Sequence, residues 1–131
     1  MKVFKFGGAS VKDADGVKNL AKILYKYKDD RLFVIVSAMG KTTNDLEDVA
    51  RSFYLKKNDV YDKLKQVEHF HYSILKELFK KNHEIYDSVA NLILEIEWVL
   101  ETEPRSNYPY EYDQIVSIGE LLSTNIISAY L

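Results

Sequence analysis

The sequence predicts an α/β fold, a short parallel sheet of about two strands accompanied by several helices. Three observations carry this. Two short apolar runs, Lys2–Phe6 and Leu32–Val36, are bounded by glycine or charge, as strands are. One helical face lies between them. Beyond residue 43, apolar residues recur at helical spacing almost to the end.

In the first run, KVFKF, the side chains of Val3, Phe4 and Phe6 are expected to be buried, and Gly7-Gly8 stops the strand. Ser10, with Asp13 three residues on, fits a capping box and is expected to open a helix. Val17, Leu20, Ala21 and Leu24 then keep the i, i+3, i+4, i+7 pattern of one helical face. The charged segment 26–31 closes the unit, and LFVIV reads as a second buried strand. Strand, helix and strand at this spacing make a βαβ unit, with parallel strands and a right-handed crossover.

The rest reads as helix. Leu46, Val49, Ala50 and Phe53 share one face of a helix expected to start near Thr43 or Asn44. Val60, Leu64, Val67, His71, Ile74, Leu75 and Leu78 mark a longer one. Ile85, Val89, Leu92, Ile93, Ile96 and Leu100 mark a third. The polar link Lys81-Asn82-His83 would fold the two long helices into an antiparallel αα-hairpin beside the sheet. Residues 104–109 are the one clear loop, with Tyr108, Tyr110 and Tyr112 expected to pack it. Ile115, Ile118, Leu122 and Ile126 mark a last helix.

A chain of 131 residues is one domain's worth and long enough to bury a core. Its 47% hydrophobic and 29% charged residues describe an ordinary globular protein. A net charge of −2 offers no basic field for nucleic acid or an anionic membrane. The absence of cysteine excludes disulfides, thiolate metal sites and cysteine nucleophiles. No apolar run approaches the roughly 20 residues of a membrane span, and no apolar signal core follows Lys2 and Lys5. A cytoplasmic protein is the expectation. Two strands are few for a parallel sheet, and the chain stops in the apolar run Ala129-Tyr130-Leu131. Residues 1–131 are therefore expected to be the N-terminal piece of a larger enzyme.

Three stretches can carry chemistry. A strand ending in two glycines before a helix brings backbone N–H groups close to an anion, and Lys5 adds a full positive charge. Many strand-to-helix turns hold a glycine pair for geometric reasons alone, and an edge strand with one wet face would also accept Lys5. The second stretch, SAMGKTTN at residues 37–44, sits after a parallel strand, where α/β folds place ligands. Gly40-Lys41-Thr42 looks like the end of a P-loop, but the glycine required five residues earlier is Ile35. Thr42, Thr43 and Asn44 would otherwise serve as helix N-caps. In the third, Ser117-Ile118-Gly119-Glu120, a glycine inside a helix costs about 1 kcal/mol against alanine and points to a close approach. Glu120 beside it would otherwise be an ordinary glutamate on a wet face. No metal site is expected from His69, His71 and His83; the first two point different ways on a helix, and His71 reads as a core-edge residue.

KFGGAS, VIVSAMGKTTNDL and SIGELLS, in that order, resemble the motifs of the aspartate kinases of the amino-acid kinase family. The family's usual first motif is KFGGTS, so Ala9 departs from it and removes one hydroxyl. The resemblance implies a partial amino-acid kinase fold and transfer of the ATP γ-phosphoryl, with magnesium, to the β-carboxylate of L-aspartate. It implies that Lys5 contacts the transferring phosphoryl and that Gly7, Gly8 and Ser10 surround the phosphates. It further implies that Ser37 and Thr43 bind aspartate and that Glu120 holds the substrate's α-amino group. The family places most nucleotide-binding residues and a catalytic aspartate later in the chain, so residues 1–131 alone are expected to be inactive. A homo-oligomer is implied for the full-length protein. The alternatives are a kinase for another small carboxylate or carbamate, and a non-catalytic helical module that docks a partner through the hairpin.

Overall fold

The computed structural model describes residues 1–104 and 107–131. The elements run β1 (Lys2–Phe6), α1 (Ala14–Tyr25), β2 (Leu32–Val36), α2 (Thr42–Tyr54), α3 (Val60–Leu78), α4 (Ile85–Leu100) and α5 (Tyr108–Tyr130). The strands pair in parallel, in register from Lys2 opposite Leu32 to Phe6 opposite Val36.

The sheet is covered on one side. Phe4 and Phe6, with Val34 and Val36, lie against the protein, and α5 packs on β2. Val3, Lys5, Phe33 and Ile35 take the opposite face, because side chains alternate along a strand. Val3 is 60% and Phe33 56% exposed, which corrects the expectation of two buried strands. Lys5 is exposed as well, so its ammonium bears no burial cost.

α1 starts at Ala14, not at Ser10. Asp13 is the N-cap, in an extended conformation, and its carboxylate accepts the Gly16 N–H at 2.8 Å. The intervening residues form turns, the first closed by Ser10 N donating to Gly7 O at 3.0 Å. Gly16 explains the offset. A Cβ there would stand 2.5 Å from the Ser10 carbonyl oxygen, so the glycine loop lies directly on the first turn of α1.

Among the helices, α5 is central: it packs on α2 and α4 and touches α1 and β2, while α3 packs chiefly on α2. α3 and α4 are consecutive and touch, but the greater part of their packing is with these other helices. Leu46, Leu75, Ile96, Leu122 and Ile126 are fully buried between them, each stabilising the fold by about 1.5–3 kcal/mol. The apolar stripe of α3 and α4 is thus spent inside the chain, and the exposed Tyr61, Leu94 and Trp98 lie off it. A helical docking module would need that stripe exposed.

α5 starts at Tyr108, seven residues before the first of its expected marks, and takes Pro109 into its first turn, where a missing N–H costs nothing. The expected loop therefore ends at Asn107; its residues Arg105 and Ser106 lie outside the described residues. The three tyrosines belong to α5. Tyr108 packs edge-on against Tyr54 of α2 at 5.2 Å, and Tyr112 donates to Glu47 of α2 at 2.7 Å. Among the described residues, no helix is long and apolar enough to cross a membrane.

Candidate active site

The three singled-out stretches meet at one place. The ends of β1 and β2 are laced by backbone hydrogen bonds that continue past the strands: Ser37 N donates to Phe6 O at 3.0 Å and Gly40 N to Gly8 O at 3.1 Å. Gly8 lies so close to the second loop that a Cβ would stand 2.9 Å from the Ala38 carbonyl oxygen and 3.0 Å from that of Gly40. Only a hydrogen fits there. Gly7, by contrast, has open space around it.

α5 closes the arrangement. Gly119 faces Leu46, Thr42 and Ala38, its hypothetical Cβ falling 3.1, 3.3 and 3.4 Å from their side chains. The close approach expected from a mid-helix glycine is real, and its partners are the side chains of α2 and its leading loop. Thr43 and Glu120 each stand one residue beyond the touching pair Thr42–Gly119, and both are exposed. Ser37 is half-buried at the end of β2, while Lys5, Gly7 and Ser10 are exposed at the end of β1.

The two helix N-termini differ. That of α1 is already capped by the carboxylate of Asp13, three residues past Ser10, so it adds less to an anion site at the glycine loop than a helix opening at Ser10 would. That of α2 has Lys41 at the N-cap and no side-chain cap, so Thr42, Thr43 and Asn44 are not caps. The Thr42 N–H turns back to the Met39 carbonyl at 3.0 Å. Its first turn is left facing the loop with partial positive charge and the Lys41 ammonium beside it, suited to a carboxylate. Asp45 opposes this: burial first, then Asp48, raises its carboxyl above the ordinary range, with Lys41 pulling the other way. Lys5 makes no ion pair among the described residues.

Beneath the loop lies a feature that helical periodicity placed only at the edge of the core. His71 of α3 is fully buried. Its Nδ1 lies 2.7 Å from the Val67 carbonyl, its Nε2 3.5 Å from Thr42 Oγ1, and Thr42 donates to the Met39 carbonyl at 2.6 Å. Burial pushes the imidazole below its ordinary value, the Val67 hydrogen bond opposing this in part. His83 accepts the Ile85 N–H at 3.0 Å at the start of α4.

The family model for the amino acid kinase family matches residues 1–131. The chain belongs to this family. It is 31% identical to aspartokinase 2, chloroplastic, of Arabidopsis thaliana, over 98% of this chain and 24% of that protein. With the lysine-sensitive aspartokinase 3 of Escherichia coli it shares 34% identity over 93% of this chain and 26% of the relative. The fold superposes on E. coli aspartokinase III in complex with aspartate and ADP with a TM-score of 0.83 and 31% identity, covering 98% of this chain and 28% of that one. The chain thus spans about a quarter of the length of these relatives, and over that quarter its fold is that of an aspartokinase.

Proposed function

We propose that this chain is the N-terminal, substrate-side part of an aspartate kinase, which transfers the γ-phosphoryl of MgATP to the β-carboxylate of L-aspartate. What carries this is the meeting of the three motifs at Ala38, Thr42 and Gly119, with Thr43 and Glu120 each next in sequence to that contact and exposed. A zwitterionic acceptor needs partners of both signs. The uncapped turn of α2, with Ser37 and Thr43, suits its carboxylates, and Glu120 suits its ammonium. Lys5 and the backbone of Gly7, Gly8 and Ser10 would neutralise charge on the transferring phosphoryl. Such transfers rest on positioning and charge neutralisation more than on covalent work by the protein.

On this reading, residues 1–131 bind the acceptor but lack the residues that hold the nucleotide, and do not turn over alone. Magnesium enters with the nucleotide as part of the substrate. The full-length protein would be a cytoplasmic homo-oligomer. The test is a titration of the chain with L-aspartate, and separately with MgATP, followed by backbone amide NMR. Localised shifts at Thr43 and Glu120 with aspartate, and little response to MgATP, are expected. A flat response to aspartate from a folded sample counts against the acceptor assignment. Aspartate-dependent ADP release above a Lys5→Ala control would overturn the division of the active site.

A further inference from the structure

We propose that His71 is a positioning residue for the acceptor loop, holding the first turn of α2 in place through Thr42. This rests on the acceptor-site reading above and extends it to a side chain that touches no ligand. Three observations converge on it. The carbonyl of Val67 can only accept, so His71 Nδ1 carries the hydrogen and Nε2 faces Thr42 as a bare acceptor. The Thr42 hydroxyl has one hydrogen and donates it to the Met39 carbonyl at 2.6 Å, so the imidazole edge, with Nε2 3.5 Å from Oγ1, acts as a packing wall that backs this bond. On the other side, the Thr42 methyl meets Gly119.

The neighbouring residue of α3 supports the same loop. Phe70 lies 3.4 Å from where a Cβ of Gly40 would be, and Gly40 holds the left-handed turn at φ +56° that starts the approach to α2. Phe70 and His71 pack edge to face, ring centroids 5.1 Å apart. Two successive residues of α3 therefore press on the loop at Gly40 and Thr42. The loop has no side-chain cap of its own at the start of α2, so its geometry is imposed from α3 below and α5 beside it. A buried polar side chain in that position is costly unless it serves the contact it makes.

The experiment is amide hydrogen exchange on the chain with His71→Phe, His71→Gln and Thr42→Val, together with the double variant His71→Phe/Thr42→Val. Phenylalanine keeps the ring and removes both nitrogens; glutamine returns a polar group near the Nε2 position. Exchange at Asp45 and Leu46, in the first turn of α2, is expected to rise about tenfold in His71→Phe and in Thr42→Val while α4 is unchanged. The double variant should exceed neither single variant, and His71→Gln should recover most of the protection. A uniform rise across all helices, or no rise at Asp45 and Leu46, would overturn the proposal. Titration of the same variants with L-aspartate separates the two readings. If the wild-type chain ignores aspartate, the acceptor assignment fails, while exchange still decides the role of His71. If wild type binds and His71→Phe binds equally well, the positioning role fails and the acceptor site stands.

Discussion

Gly119 of α5 and Thr42 of α2 approach so closely that a Cβ on the glycine would lie 3.3 Å from the threonine Cγ2. The same contact brings the third motif against the second, so its tightness can be tested as a statement about the site.

Gly119→Ala sets two effects against each other. Alanine favours the helix by about 1 kcal/mol, but overpacking costs about 1–3 kcal/mol. Ala38 Cβ is anchored to the backbone, and Thr42 is β-branched and tied to Met39, so neither yields readily. Leu46 Cδ1, the nearest atom, is fully buried. Crowding should win. The expected result is a net loss of about 1 kcal/mol in urea unfolding, with amide shifts concentrated at Thr42 and Thr43. A gain in stability would show that α5 can move away.

The adjacent glycines of the first loop should behave oppositely. Gly8→Ala drives a methyl into two backbone carbonyls, which cannot rotate aside, and is expected to cost about 2–3 kcal/mol and break the Gly40–Gly8 hydrogen bond. Gly7→Ala meets nothing and should leave stability within about 0.5 kcal/mol. Thermal unfolding of the pair decides this. Equal losses in both would mean that the loop is not held against Ala38 as described.

Much of this was legible in the sequence, and the misses have physical causes. Leu32–Val36 follows from its apolar run, and the stripes of α3 and α4 follow from periodicity, because a buried helical face leaves a repeating mark. The open face of the sheet did not, since Val3, Phe33 and Ile35 are as apolar as buried residues and an uncovered face leaves no local sign. Ser10 and Asp13 both suit an N-cap; what decides between them is the fit of Gly16 under the Ser10 carbonyl, a packing fact. Gly16 itself, a glycine in the first turn of a helix, was the available signal. His71 sat correctly on the apolar stripe, but its link to Thr42 joins residues 29 apart in sequence and is invisible to any window.

His71 also makes stability depend on pH. Burial holds its folded-state value below the ordinary 6.5, so between the two values the unfolded chain binds more protons than the folded one. The histidine's contribution is complete above about pH 6.5 and is lost as pH falls towards the folded-state value. Urea midpoints measured from pH 7.5 down to 5 should decline, with a slope from this group of at most about 1.4 kcal/mol per pH unit. His71→Gln should remove that component. An unchanged slope in the variant would assign the pH dependence to other groups.

Lys5 and Glu120 separate function from folding. Both are exposed, and neither makes an ion pair among the described residues, so Lys5→Met and Glu120→Gln should each leave the unfolding midpoint nearly unchanged. Their effects on activity should be large and different in kind. In the protein extended by the rest of its kinase domain, the proposed role of Lys5 at the transferring phosphoryl predicts that Lys5→Met lowers kcat by about a hundredfold to a thousandfold, with KM for aspartate little changed. If Glu120 pairs with the substrate ammonium as proposed, an interaction present before and during transfer is lost in Glu120→Gln, which should chiefly raise KM for aspartate. Steady-state kinetics on the two variants, with circular dichroism confirming equal folding, distinguishes them. If Lys5→Met turned over like wild type, the exposed lysine at the end of β1 would be a surface residue of an open sheet face and nothing more.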